Sequence, residues 1–249
     1  MARCVLLMVC VCVAASTVGC KSNTSQPQPA STAPAPAMKP APPTPLAEKK
    51  DELGGTTWDP QWDAMIEQEL PADLLSETAA RAVRPYCPRF AEESEADKRA
   101  FWAYVFQALA SAEAGLNPDT DVHHLQRAVN KTDQVTKRPI HQEGLLQLTY
   151  EDEKRYGCNF DWEHDRTLPA KDPDRTILQP ANNLSCGVKI MEDQIITQKK
   201  PLVSRTSYWA TLQPGTVSYR VFAKQMANVP AACGLHERTE HERRPRRRR

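Results

Sequence analysis

The sequence has almost no net charge, no strand-like alternation and no metal-ligand spacing. Over 249 residues, lysine plus arginine number 32 against 31 aspartates and glutamates. Global charge therefore argues for neither specific nucleic acid nor a membrane surface as partner. No stretch alternates apolar and polar residues for long enough to make a half-buried strand. There is no CxxC pair, no HExxH and no Cys–His spacing, and His123, His124, His141 and His164 stand in no ligand pattern. Neither a metal nor another cofactor is expected. The apolar run Val5–Val18 is too short to cross a bilayer as a helix.

What is present begins with that run. Arg3 followed by Val5–Val18 reads as the n- and h-regions of a signal peptide over residues 1–19. The run closes on Thr17-Val18-Gly19-Cys20, which resembles the bacterial lipoprotein processing box, with Thr17 where that box has leucine. Cys20 is thus expected to become an acylated N-terminus holding the protein to a membrane through its lipid. An ordinary signal peptide, or an uncleaved anchor, with Cys20 unmodified is the alternative. Lys21 after the cysteine leans towards outer-membrane sorting, on the periplasmic side. Pro27, Pro29, Pro34, Pro36, Pro40, Pro42, Pro43 and Pro45 then lie among Ser, Thr, Gln and Ala. Such a tract buries too little to offset its ordering entropy, so residues 20–57 are expected to form a disordered linker. Extended, it reaches on the order of 80 Å.

A folded domain is expected over 58–236. Ala64, Met65, Leu70, Leu74, Leu75, Ala79, Ala82 and Val83 predict one or two helices, broken at Pro71 and stopped near Pro85. A central helix follows over 96–114. Residues 119–141 are polar and read as a surface loop, with a short helix near 122–129 as its one candidate element. A helix at 150–156 ends at Gly157, and 159–179 look irregular. Further helices are predicted over 183–196, 203–212 and 217–226. The class is all-α, or α with minor β. Arg243-Arg244-Pro245-Arg246-Arg247-Arg248-Arg249 closes a basic tail, 237–249, expected to be solvated and able to meet an anionic polymer.

Cys87, Cys158, Cys186 and Cys233 fall in the domain, and in an exported protein they should pair. Three connectivities are possible. Cys158 lies just past one helix and Cys186 in the next, which favours Cys158–Cys186 as the local bridge. Cys87–Cys233 then ties the ends of the domain together.

The central helix carries Phe101, Tyr104, Val105, Ala108, Leu109 and Ala112 on one stripe, with Trp102 and Phe106 in an adjoining row. Glu113 ends this apolar ridge, just before Gly115 and Asn117-Pro118 stop the helix. A carboxylate partly desolvated there suits a proton donor.

Three segments in order extend that observation: Glu113-Ala114-Gly115-Leu116-Asn117-Pro118, Gly144-Leu145-Leu146-Gln147-Leu148 and Pro180-Ala181-Asn182-Asn183-Leu184-Ser185-Cys186-Gly187-Val188. They resemble the E-S-x-x-N-P, G-L-M-Q-L and N-I-x-x-G-x-x-Y segments of the soluble lytic transglycosylase catalytic domain, a relative of goose-type lysozyme. The likeness covers roughly 95–215, and Ser207-Tyr208-Trp209-Ala210 falls where that family has A-Y-N-A-G. Three departures stand out: Ala114 replaces the serine, residues 119–141 look like an insertion beside the cleft, and the tyrosine segment is altered.

The resemblance implies a lysozyme-like domain acting on peptidoglycan glycan strands with a single carboxylate. Glu113 would protonate the glycosidic oxygen between N-acetylmuramic acid and N-acetylglucosamine. It would then take the proton of the muramic acid C6 hydroxyl as a 1,6-anhydro ring closes. Gln147 is expected to hydrogen-bond the sugar or hold the cleft backbone, Leu145 and Leu146 to form the cleft floor, and Tyr208 to hydrogen-bond the acid or an N-acetyl group. Glu143 reads as a solvated residue at a helix entry, or as a second carboxylate favouring hydrolysis. Two other functions fit the same residues: an inactive wall-binding or scaffold module of this fold, and a hydrolytic muramidase.

Overall fold

Short polar side chains start the helices. Asp59 accepts the N–H of Gln61, and Pro60 fills the first helical position of α1, Pro60–Glu69. Ser76 accepts the N–H groups of Thr78 and Ala79 at the head of α2, Glu77–Val83. Ser94 accepts the N–H of Asp97 and donates to its carboxylate at 2.6 Å, opening α3, Glu95–Ala114. The computed structural model describes residues 57–122 and 131–235, which belong to one unit, Ala41–Arg249. Cys20, the proline tract, His123, His124 and the Arg-rich tail lie outside the described residues.

Next come β1 (Asp121–Val122), its antiparallel partner β2 (Gln142–Glu143), α4 (Glu151–Tyr156), the single turn α5 (Trp162–Asp165), α6 (Pro180–Glu192) and α7 (Val217–Met226). The described chain is mainly α-helical, with two disulfides. Cys158–Cys186 joins the loop after α4 to α6, and Cys87–Cys233 spans 146 residues. On the chain-entropy account, closing a loop that long restricts the unfolded state by on the order of 4–5 kcal/mol.

α3 is the axis of the core. Trp102, Val105, Phe106, Leu109 and Ala110 are 0% exposed, and Phe101, Ala103, Tyr104 and Ala108 are buried as well. The two apolar rows legible in the sequence therefore merge, and the helix is wrapped on every side rather than along one stripe. Full burial contributes about 1.5–3 kcal/mol for each of Phe101, Phe106 and Leu109. The polar atoms of its neighbours are placed to match. Trp102 Nε1 donates to the Leu74 carbonyl at 2.7 Å, the Tyr104 hydroxyl to the Gln225 carbonyl at 2.7 Å, and Gln225 Nε2 to Ser111 Oγ at 2.6 Å. α7 is thereby fastened along the C-terminal half of α3.

Two expectations are corrected. Residues 203–212 are not a helix; only Ala210–Leu212 make a 3-10 turn. Ser204 N–H donates to the Leu212 carbonyl and Leu202 N–H to that of Ala82, so this segment is a loop closed by tertiary bonds. Residues 119–141 are not wholly irregular, since Thr132 bridges Pro139 and Asp133 N–H donates to the Arg138 carbonyl in a small hairpin. α6 also runs on past Glu192 as a π turn over Asp193–Thr197, a form often found at functional sites.

Candidate active site

Glu113 stands in the last turn of α3 and is 8% exposed. The chain leaves the helix through two successive left-handed residues, Gly115 at φ +58° and Leu116 at φ +64°. Glycine adopts that conformation freely, whereas leucine is strained there by about 1–2 kcal/mol. The last carbonyls are met locally: Asn117 N–H and the Thr120 hydroxyl both donate to the Ala114 carbonyl at 3.1 Å. Ala114 itself is buried.

A second strained residue holds the neighbouring turn. Glu143 and Leu148 exchange backbone hydrogen bonds of 2.8 and 3.0 Å, and Gln147 turns the chain between them at φ +51°. Gln147 is 0% exposed, with Nε2 donating to the Gly144 carbonyl at 2.8 Å and the Thr120 carbonyl at 2.9 Å. Both bonds go to backbone carbonyls and tie this turn to the segment that leaves α3. Leu145 and Leu146 are also 0% exposed. They lie in the core beneath the site, not on an open cleft floor.

Asn183, in the first turn of α6, pins the turn from below. Its Oδ1 accepts the Leu146 N–H at 2.8 Å, while Nδ2 donates to the carbonyls of Ile177 (2.9 Å) and Glu143 (3.3 Å). The seat is tight. A Cβ on Gly144, which has φ +79°, would stand 2.3 Å from Asn183 Nδ2, and one on Gly187 would stand 2.2 Å from Leu146 Cδ1. The Trp209 indole N–H donates to the Leu146 carbonyl at 2.8 Å. The three sequence segments thus converge on one another in space, and Trp209 joins the fourth to them.

Beside the turn lies a groove of about 420 Å³ whose lining includes Thr149, Asp152, Arg155, Tyr156, Gln194 and Tyr208. The Tyr208 hydroxyl donates to Asp152 Oδ2 at 2.6 Å, so the carboxylate it bonds is Asp152. Thr149 gives the same oxygen its N–H (2.8 Å) and its hydroxyl (3.1 Å). Gln194, presented by the π turn, accepts the Tyr208 N–H at 2.7 Å and the Ser207 hydroxyl at 2.9 Å. Burial raises the Asp152 carboxyl above the usual carboxylate range, against the pull of the Tyr208 and Thr149 hydrogen bonds. Burial and then the Asp152 charge push the Tyr208 hydroxyl well above the tyrosine range, and the Glu113 charge adds to that push. Asp152 and Gln194 escaped sequence reasoning: an acid in the first turn of a helix reads as an ordinary dipole partner, and nothing marks a glutamine in a π turn.

Glu143 is not solvated. It is 7% exposed and its carboxylate is gripped by both terminal nitrogens of the buried Arg175, Nη2 lying at 3.2 Å. Arg175 Nη2 also donates to the Tyr150 hydroxyl at 2.8 Å, and Tyr150 donates in turn to Asp165 at 2.9 Å. His164 Nδ1 stands 3.0 Å from Asp165, and His141 lines a smaller recess of about 180 Å³ with Glu143, Trp162 and Arg175. Ile140 and Gln142 line the large groove and His141 and Glu143 the recess, as the period of two along an extended segment requires. Among the described residues no group of three or more His, Cys, Asp or Glu could hold a metal ion, and no helix is long and apolar enough to cross a membrane.

No protein-family model matches this sequence, and no curated protein matches it. Among solved structures it is similar to Bd0314 DslA in its wild-type form 2, at 20% identity and a TM-score of 0.52, covering 70% of this chain and 91% of that one. Two Glu-to-Gln mutants of the same protein match at 20% and 19% identity, again with TM-scores of 0.52. At that identity the likeness establishes a shared fold.

Proposed function

We propose that the chain is a peptidoglycan lytic transglycosylase with a lysozyme-like catalytic domain, cutting the β-1,4 bond between N-acetylmuramic acid and N-acetylglucosamine. The observation that supports this best is the placing of Glu113. It is a mostly buried carboxylate at the end of the core helix, in the first of the three segments brought together around the Gly144–Leu148 turn. Two other buried carboxylates are committed to partners of their own, Glu143 to Arg175 and Asp152 to Tyr208 and Thr149. That distribution favours one working carboxylate over the acid-and-base pair of most glycosidases.

In this reading Glu113 gives its proton to the glycosidic oxygen, and the N-acetylglucosamine side departs as the alcohol. The carboxylate then takes the proton of the muramic acid C6 hydroxyl while its oxygen bonds to C1, closing the 1,6-anhydro ring. Protons balance and no water is consumed. The internal nucleophile has the high effective molarity of a tethered group, and one side chain serves as acid and then base. Residues 20–57 would carry the domain away from a membrane held by acylated Cys20, on the periplasmic side of an outer membrane. Replacing Cys20 by Ser should move the protein out of the membrane fraction.

The test is digestion of purified sacculi by the full chain and by Glu113→Gln, with muropeptides weighed by mass spectrometry. Anhydro ends, lighter than hydrolytic ends by one water, are expected from the native chain and not from the variant. Reducing ends would mean a muramidase. Binding without release by both proteins would mean a scaffold module.

A further inference from the structure

We propose that Asp152 is a positioning residue: it holds the hydroxyl proton of Tyr208, so that the Tyr208 oxygen meets the groove as a hydrogen-bond acceptor. A tyrosine hydroxyl has one proton to give. Here that proton goes to Asp152 Oδ2 at 2.6 Å, the short separation of a charge-assisted bond. The receiving oxygen cannot swing away, because the Thr149 N–H and hydroxyl bind it too. Nor can the tyrosine, whose N–H is held by Gln194 and whose ring meets Trp209 edge-on at 4.9 Å and Tyr156 at 6.1 Å.

Only the lone pairs of the Tyr208 oxygen then remain for the groove. They select a donor: the acetamido N–H or a hydroxyl of a glycan, or the proton that Glu113 carries before transfer. A free tyrosine hydroxyl would turn its proton outward and favour carbonyls instead. This deepens the transglycosylase reading and rests on it for the glycan alone. The charges that bear on Asp152 are Arg155, three residues along α4, and the hydroxyls of Tyr208 and Tyr156; Lys131, Glu151 and Lys200 line the same groove.

The test compares Asp152→Ala, Asp152→Asn and Tyr208→Phe with the native full chain, measuring kcat and KM on solubilised glycan strands across pH. Asp152→Asn keeps an acceptor oxygen in place without the charge. Asp152→Ala should lower kcat on the order of tenfold, the loss of one buried hydrogen bond, and Asp152→Asn should recover most of it at neutral pH. Native activity should fall as pH drops through the titration of Asp152, and that part of the acid limb should vanish in Asp152→Asn. Proton NMR gives a readout without turnover: a protected downfield hydroxyl signal, absent from Tyr208→Phe and exchanging freely in Asp152→Ala. Native kcat and an intact hydroxyl signal in Asp152→Ala would overturn the inference. So would an acid limb unchanged in Asp152→Asn. If Glu113→Gln is inert while Asp152→Ala works normally, this inference alone fails; if Glu113→Gln cuts like the native chain, the assignment of Glu113 as the single working carboxylate fails first.

Discussion

Two buried polar clusters flank the 139–152 segment, and each pairs a tyrosine with a carboxylate. In one, Tyr150 donates to Asp165, while Arg175 bonds both Tyr150 and Glu143. In the other, Tyr208 donates to Asp152 with Thr149 in support, and among the described residues no cation bonds the carboxylate. The two aspartates respond in opposite senses. Burial would raise Asp165, but hydrogen bonds from His164, Thr176 and Ile177 outweigh it and hold the carboxyl below the usual range. Burial wins at Asp152, which is raised. A carboxylate gripped by a buried arginine, as Glu143 is, fastens the fold; Asp152 feels the Arg155 charge and three hydrogen bonds, yet burial prevails there.

The comparison can be broken most forcefully at Arg175. Arg175→Met leaves Glu143 buried without its counter-ion and should cost about 3–5 kcal/mol in denaturant unfolding. Adding Glu143→Gln should restore much of that, since an absent pair costs less than half a pair. If Arg175→Met unfolds like the native chain, the first cluster is not the fastening. A smaller loss is expected where the turn seats on α6. Gly144→Ala adds backbone strain to a 2.3 Å clash with Asn183 and should cost about 2–3 kcal/mol, more than Gly187→Ala, whose clash is with the end of the Leu146 side chain. Equal stability of the two variants would remove the argument from backbone conformation.

The smallest effects concern pH. Asp165 is lowered in the fold, so it stabilises above the ordinary carboxylate pKa and that contribution is lost as pH falls through its folded value. Asp152 is raised, so its contribution is present at low pH and is lost as pH rises through its folded value. Thermal midpoints against pH should therefore show Asp165→Asn falling behind the native chain as pH rises towards the ordinary carboxylate range, and Asp152→Asn gaining on it as pH rises above that range. Parallel curves would show that the two carboxylates do not differ.

Much of this was open to a reader of the residues. The axis over 96–114 is legible because only Gln107 and Ser111 interrupt the apolar residues of Phe101–Ala112, and its end is marked by Gly115 and Pro118. Both disulfide pairings follow from where Cys158 and Cys186 fall relative to neighbouring helices. The spacing of apolar residues failed at 203–212, where Leu202, Trp209 and Leu212 are all buried but the backbone is tied to Ala82 and closed on itself. Periodicity reports a face only when one element presents it.

Local chemistry sufficed for what is set by nearest neighbours: the helix stop at Gly115, and a carboxylate at the end of an apolar ridge. Partnership between residues far apart in the chain needed the folded structure. Whether Glu143 is solvated or locked depends on Arg175, 32 residues away, and whether Tyr208 gives or takes a proton depends on Asp152, 56 residues away. A side chain's type lists the hydrogen bonds it can make; only the packing that removes water decides which one it keeps.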